Sequence, residues 1–132
     1  MPINKEPVFP VAPIVGIGDT IATLAGTRAK ITGTTGLTAV TAASTNGLRI
    51  DQVAVQLAAT SAAAIVMLWI YDGTTSFLFD EFVIPAITAS NTVPAARVVK
   101  TYSNLLLPPT YRLYASTTIA QNTDVFAMGG SY

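Results

Sequence analysis

Two runs rich in β-branched and aromatic residues, at positions 65–71 and 77–84, interrupt the usual alternation of apolar and polar side chains. They flank the pair Asp72-Gly73. Short apolar runs on either side of an Asp-Gly pair are typical of a β-hairpin closed by a tight turn. The pattern therefore predicts a hairpin in this part of the chain.

The first strand of this hairpin is apolar on both faces. Odd-numbered and even-numbered residues of a strand point to opposite sides. The two sets are Ile65, Met67, Trp69 and Tyr71 on one side and Val66, Leu68 and Ile70 on the other. A sheet that faces water on one side shows polar residues on that side, so both faces here are expected to be covered. We hypothesise that the core of the domain covers one face and that a neighbouring molecule covers the other.

Further strands are predicted at residues 48–59, 97–103, 111–116 and 124–128, with shorter ones at 20–25 and 37–42. In residues 48–59 the apolar positions change parity, because Leu48 and Ile50 are even whereas Val53 and Val55 are odd. A β-bulge near Asp51-Gln52 would keep both sets on the core face. We expect this strand and the hairpin to form an up-down-up meander, and residues 86–94 to cross from one sheet to another.

Seven or eight short strands without a long amphipathic helix predict an all-β fold. An antiparallel β-sandwich fits best, and a jelly roll is one form of it. The length of 132 residues is that of one domain. We assign residues 19–132 to the sandwich and residues 1–18 to an extended arm, because Pro2, Pro7, Pro10 and Pro13 exclude a helix. The arm also carries apolar residues, so it either packs on its own domain or reaches a neighbouring subunit.

The composition indicates a protein that makes many contacts with other protein. Hydrophobic residues make up 51% and charged residues 11%, and the formal net charge is zero. Average domains are roughly 25% charged, and a weakly charged, neutral surface promotes association. No run of Lys or Arg is present that could neutralise phosphates, so we expect no nucleic-acid partner.

A stretch at residues 53–71 is long and apolar enough to span a membrane. Gln56, Thr60 and Ser61 interrupt it, and its first half alternates with period two. Two strands explain the same residues better, so we expect no membrane contact.

The sequence offers little chemistry. It contains neither Cys nor His, which removes the commonest metal ligands and the usual general base. Asp80 and Glu81 are adjacent and point to opposite faces, so we expect one of them to form a structural ion pair with Arg97, Lys100 or Arg112. The aromatic residues are expected in the core and at an interface rather than in a stacking platform. We therefore predict no catalytic, cofactor-binding or metal-binding residue, and no enzyme.

The layout of the chain resembles a known class of proteins. After the proline-rich arm it shows Thr45-Asn-Gly-Leu-Arg-Ile50, Leu68-Trp-Ile-Tyr-Asp-Gly73, Leu107-Pro-Pro109 and Ala127-Met-Gly-Gly130. Over roughly residues 45–132 this layout is similar to small structural proteins of tailed-bacteriophage particles, of the head-decoration or cement type. The resemblance implies a β-rich protein that binds the outside of an icosahedral shell, often as a trimer, and stabilises it against internal DNA pressure without a cofactor.

The resemblance further implies a location in the virion, assembled in the host cytoplasm, and contact with the major capsid protein or another virion protein. A homo-oligomer is expected, with a trimer favoured, and residues 1–18 would grip the shell. Two alternatives remain, namely a connector or tube component of the neck or tail, and a carbohydrate- or receptor-binding module near residues 111–114 or Ser90-Asn91. The residues proposed to contact a partner are Pro7, Val8, Phe9, Pro10, Val11, Ile14, Trp69, Tyr71, Phe77 and Phe79.

Overall fold

The structure, a computed structural model, describes residues 12–24 and 28–132. Within these residues the chain forms nine β-strands and no helix. The strands are β1 (Ala12–Gly18), β2 (Ile31–Thr32), β3 (Thr38–Ala39), β4 (Leu48–Leu57), β5 (Ala64–Tyr71), β6 (Thr75–Ile84), β7 (Arg97–Leu107), β8 (Arg112–Thr117) and β9 (Thr123–Ser131). The predicted all-β class is confirmed.

The strands form two antiparallel sheets, one in the order β1-β9-β4-β7 and the other in the order β2-β6-β5-β8-β3. With the two-residue β2 set aside, the first of the eight remaining strands pairs with the last, the second with the seventh, the third with the sixth, and the fourth with the fifth. This nested pairing is the strand order of a jelly roll, which is a form of the predicted β-sandwich.

The core lies between the two sheets and follows the period-two pattern of the strands. Its fully buried members come from both sheets, and include Ile50, Val53, Val55 and Val125 from the first and Val66, Leu68, Phe82 and Leu113 from the second. The pairing of β4 with both of its neighbours shifts between Ile50 and Gln52, as predicted for a bulge there. The bulge brings the even-numbered and the odd-numbered apolar residues of β4 onto one face.

The predicted hairpin is confirmed as β5 and β6. The carboxylate of Asp72 accepts hydrogen bonds from the backbone N–H of Thr74 at 2.9 Å and of Thr75 at 2.8 Å. Gly73 has a φ of 105°, a value at which a side chain would be strained. The Asp-Gly pair therefore closes the turn in the way its residue types require.

The predicted meander is wrong. β4 pairs with β7 and β9, whereas the hairpin lies in the other sheet. After Leu57 the chain crosses between the sheets, and Ser61 then pairs with Ile87, where the chain begins its return. The crossing has a physical reason in the pattern of buried residues. Because the apolar core residues of β4 lie on one face, β4 can pack from its own sheet against the inner face of β5 in the opposite sheet. The second predicted crossing, at residues 86–94, is confirmed, since β6 and β7 lie in different sheets.

The described part of the proline-rich segment belongs to the sandwich. Residues 12–18 form β1, which pairs with β9 along its whole length. Pro13 is tolerated there because β1 is an edge strand. The rest of the predicted arm, residues 1–11, lies outside the described residues. Of the short predicted strands, residues 20–24 contain only an isolated bridge between Thr23 and Thr117, and residues 37–42 shorten to β3.

Candidate interaction surfaces

A band of apolar side chains crosses the outer face of the four-stranded sheet. Residues paired across antiparallel strands project to the same side, and the residues packed into the core identify the inner side. The outer row through the middle of the sheet is Ile17, Phe126, Ala54 and Val99, and the next row contains Val15 and Met128. We name these six residues the apolar band.

The exposure of the band is high for large aliphatic side chains. Val15 is 65% exposed, Ile17 57% and Val99 40%, whereas Phe126 and Met128 are half-buried and Ala54 is inaccessible to solvent. The adjoining outer row is polar and consists of Asp124, Gln56 and Arg97. An apolar centre beside a polar margin is the arrangement found in protein interfaces.

The outer face of the other sheet is covered by the chain itself around Met67, Trp69 and Tyr114. Met67 and Trp69 project to that face and are fully buried, together with Tyr114. The side chains that pack over them from residues 19–39 are Leu24, Ile31, Leu37 and Ala39. The hypothesis that a second molecule covers this face of β5 is therefore wrong.

The residues proposed from the sequence to contact a partner do not lie together. Pro7, Val8, Phe9, Pro10 and Val11 lie outside the described residues. Ile14 packs against the core, and Trp69 is inaccessible, with its indole Nε1 donating to the hydroxyl oxygen of Ser116 at 3.0 Å. Trp69 therefore cannot touch a partner in this conformation, whereas Ile14 is half-buried and also lines an open groove beside β1.

Tyr71 is half-buried and faces its own chain. Its hydroxyl donates to the carbonyl oxygen of Gly73 at 2.7 Å, and its ring meets that of Tyr114 edge-on at 5.4 Å. Tyr114 is itself buried, and Tyr111 packs partly against the core. The tyrosines at 111–114 therefore do not form an exposed platform on which a sugar could stack.

Phe77 and Phe79 are the two proposed residues that are described and exposed. Both lie on β6, and Phe79 occupies the position where the pairing of β6 with β5 shifts. The ring of Phe79 lies 5.6 Å from that of Tyr102 on β7. Phe79 therefore lies near the seam between the sheets, and both phenylalanines are separate from the apolar band, which lies on the other sheet.

A polar cluster joins the two sheets at this seam. The carboxylate of Asp80 accepts from Lys100 Nζ at 2.9 Å and from the Tyr102 hydroxyl at 2.7 Å. Lys100 also donates to the carbonyl oxygen of Glu81 at 2.6 Å. On the other face Glu81 pairs with Arg28. The predicted structural ion pair is confirmed, with Lys100 as the partner of Asp80.

The cluster alters the acidity of both Asp80 and Tyr102. Partial burial acts to raise the pKa of Asp80, but the hydrogen bonds from Lys100 and Tyr102 outweigh it, so this pKa lies below its ordinary value of 3.8. Burial and the neighbouring carboxylate raise the pKa of Tyr102. Asp80 is therefore ionised and Tyr102 neutral over the physiological pH range.

The Asp80→Asn variant should lose about 1 kcal/mol of stability near neutral pH, because it removes a charged acceptor shared by two donors. A carboxyl whose pKa is lower in the folded state stabilises the fold above its unfolded pKa and ceases to do so as the pH falls through the folded pKa. The advantage of the native chain over the variant should therefore be constant above about pH 5 and shrink below 3.8. Urea unfolding across this pH range measures it, and a difference that grows on acidification would contradict it.

An open groove of about 540 Å³ lies beside β1. It is lined by residues 14–16 of β1, residues 41–45, Leu48 and Ser131. The lining holds no charged side chain, and its polar side chains are hydroxyls, those of Thr41, Ser44, Thr45 and Ser131. Within the described residues no cluster of three or more acidic side chains could hold a metal ion, and no helix is long and apolar enough to cross a membrane.

No protein-family model matches this chain, and a search of curated proteins gives no significant match.

Proposed function

We propose that this chain is a non-enzymatic structural protein of a virus particle, which binds the outside of a phage capsid shell as a decoration or cement protein. The observation that carries the proposal is the apolar band on the outer face of the four-stranded sheet. Large exposed patches of this kind mark sites of protein association. An apolar row that spans all four strands of a sheet suits a broad partner such as a shell surface.

Binding of this kind needs no chemistry beyond contact. A protein that binds the assembled shell and not its separate subunits shifts the assembly equilibrium by mass action. Many copies on one shell multiply a modest contact through multivalency. The low charge of the chain favours such contacts, because few charged groups must lose water on binding.

The fold is compatible with the proposed function, but it is equally compatible with other functions. Jelly rolls occur in viral capsid proteins, in lectins and in cupins, so the strand order alone does not name a function. The apolar band and the resemblance in layout to head-decoration proteins favour the first of these classes. The major capsid protein is the expected partner.

The proposal is tested first on purified particles of the virus that encodes this chain. Quantitative mass spectrometry should find the chain in the particle, in numbers that scale with the shell subunits. A small fixed number of copies would instead favour a connector in the neck or tail. Absence from the particle would overturn the proposal.

Ile17→Lys and Val99→Lys should each weaken binding to shells by roughly tenfold or more, because a lysine within a docked apolar surface loses its water. The matched control is Val83→Lys, since Val83 is 72% exposed on the outer side of the other sheet. Sedimentation of shells lacking the protein with each purified variant measures the effect. Equal loss in all three variants, or no loss in the first two, would remove the apolar band from the mechanism.

A further inference from the structure

β1 is an edge strand that lacks the usual protection against pairing with another chain. Within the described residues it pairs only with β9, so one side of its backbone is open. Its seven residues include no charge, and Val15 and Ile17 are exposed. Edge strands are normally protected by charges, bulges or a cover.

The opposite edge of the same sheet has such protection. β7 carries Lys100, whose side chain points inward to Asp80. It also has an irregular stretch opposite the bulge of β4, where Asn104 has a positive φ of 62°. Both features hinder the addition of a strand to β7. The two edges of the sheet therefore differ, and β1 is the edge suited to pairing.

Pro13 indicates which backbone groups are available. Proline in a sheet is tolerated where its missing N–H would have pointed away from the neighbouring strand. The direction of the backbone groups repeats every two residues, so Val15 and Ile17 direct their N–H and C=O to the same open side as Pro13. Two donors and three acceptors are then available along this edge.

The groove beside β1 adds room for side chains. Its lining includes residues 14–16 of β1 and residues 41–45. In strand addition the backbone hydrogen bonds provide affinity, and pockets for alternate side chains provide specificity. An extended peptide that pairs with β1 would direct every second side chain into this groove.

We propose that this edge receives the N-terminal segment, residues 1–11, of a second copy of the chain. The segment directly precedes β1 and contains Ile3, Val8, Phe9 and Val11. Eleven extended residues reach about 36 Å, which exceeds the roughly 23 Å length of a seven-residue strand. The segment is therefore long enough to pair with all of β1 and still connect to its own domain.

Pro10 argues against pairing within one copy. To fold back on β1 as a tight hairpin, the segment would need residues 10 and 11 as a two-residue turn. The favoured turns of this length need a positive φ at their first central residue, and the proline ring fixes φ near −65°. A three- or four-residue turn would leave eight or seven residues, enough to cover the seven of β1, so the oligomeric state decides between folding back and exchange. Exchange of segments between copies avoids this strain and produces a closed oligomer when it is reciprocal.

The inference goes beyond shell binding, and its test contains no shell. The full chain, a chain lacking residues 1–10, and the Val15→Pro variant are compared by size-exclusion chromatography with light scattering. The full chain should be an oligomer and the truncated chain a monomer. A full chain that is a monomer at high concentration, or a truncated chain of unchanged oligomeric mass, would overturn the inference.

A synthetic peptide of residues 1–11 provides the direct measurement. It should bind the truncated chain, and binding should fall by roughly tenfold when Val15→Pro removes one open N–H. A scrambled peptide of the same composition is the control, and equal binding of both peptides would contradict the inference.

Hydrogen exchange gives a readout that does not depend on the proline variant. The amides of Val15 and Ile17 should be protected in the full chain and exchange rapidly in the truncated one, and rapid exchange in both would overturn the inference.

Discussion

Replacing Trp69 by alanine should destabilise the isolated chain by about 3–5 kcal/mol, the range typical of a fully buried large aromatic residue. Trp69 is inaccessible to solvent in a single copy, and its indole nitrogen donates to Ser116. The substitution would leave a cavity between β5 and the segment that covers it. It would also leave the buried Ser116 hydroxyl without this partner, which adds to the cost.

Phe77→Ala is the matched control, because Phe77 is an aromatic residue of the same hairpin with its side chain exposed. We expect it to cost less than about 1 kcal/mol. Urea unfolding followed by circular dichroism compares the two variants. Trp69 is also the only tryptophan, so its emission in the native chain should be blue-shifted in dilute solution. A red-shifted emission that moves to the blue only on oligomerisation would restore the idea that a second molecule covers β5.

The parts of the fold that depend on neighbouring residues could be predicted from the sequence. The Asp-Gly turn, the bulge of β4 and the pairing of Asp80 with a nearby cation each follow from local spacing. Their physical causes act over a few residues or across one pair of strands. The β-sandwich class followed in the same way, from the number and length of the apolar runs.

The residues that cover the outer face of β5 could not be predicted. A strand that is apolar on both faces indicates that both faces are buried, but it does not identify the residues that bury them. The covering residues Leu24, Ile31 and Leu37 are scattered through a segment rich in Thr, Ala and Gly and have no strand period. Only the three-dimensional path of residues 19–24 and 28–39 brings them over Trp69. The one signal in the sequence is the presence of isolated large apolar residues in that segment, which need a buried position.

The apolar band cannot be read from the sequence for a different reason. The prolines around Val15 and Ile17 predict an extended segment outside the sheet, whereas both residues lie on β1. On β7, Val98 and Val99 are both apolar, so alternation does not show which one faces outward. The bulge of β4 also shifts its pairing with β7, so the alternation on β4 does not indicate which residues of β7 face outward. The register of all four strands was needed to identify a common outer row.

Gly129→Ala should destabilise the fold by about 3 kcal/mol or more, because the added methyl group would meet backbone and not a movable side chain. Gly129 pairs with Ile14 on β1 and with Ile50 on β4. A Cβ at this position would overlap the carbonyl oxygen of Arg49 and lie 2.8 Å from its carbonyl carbon. The close approach occurs beside the bulge of β4, where the pairing with β9 shifts between Ile50 and Gln52.

Gly33→Ala separates this effect from the general cost of replacing glycine. Gly33 has open space around it and a φ of 82°, so alanine there should cost about 1 kcal/mol of backbone strain alone. Thermal unfolding of the two variants provides the comparison, and equal losses would show that β9 moves away from β4 without cost. Because Met128 and Phe126 lie on the same strand, a displaced β9 would also shift two members of the apolar band. We therefore expect Gly129→Ala to weaken shell binding even below its unfolding temperature, whereas Gly33→Ala should leave it unchanged.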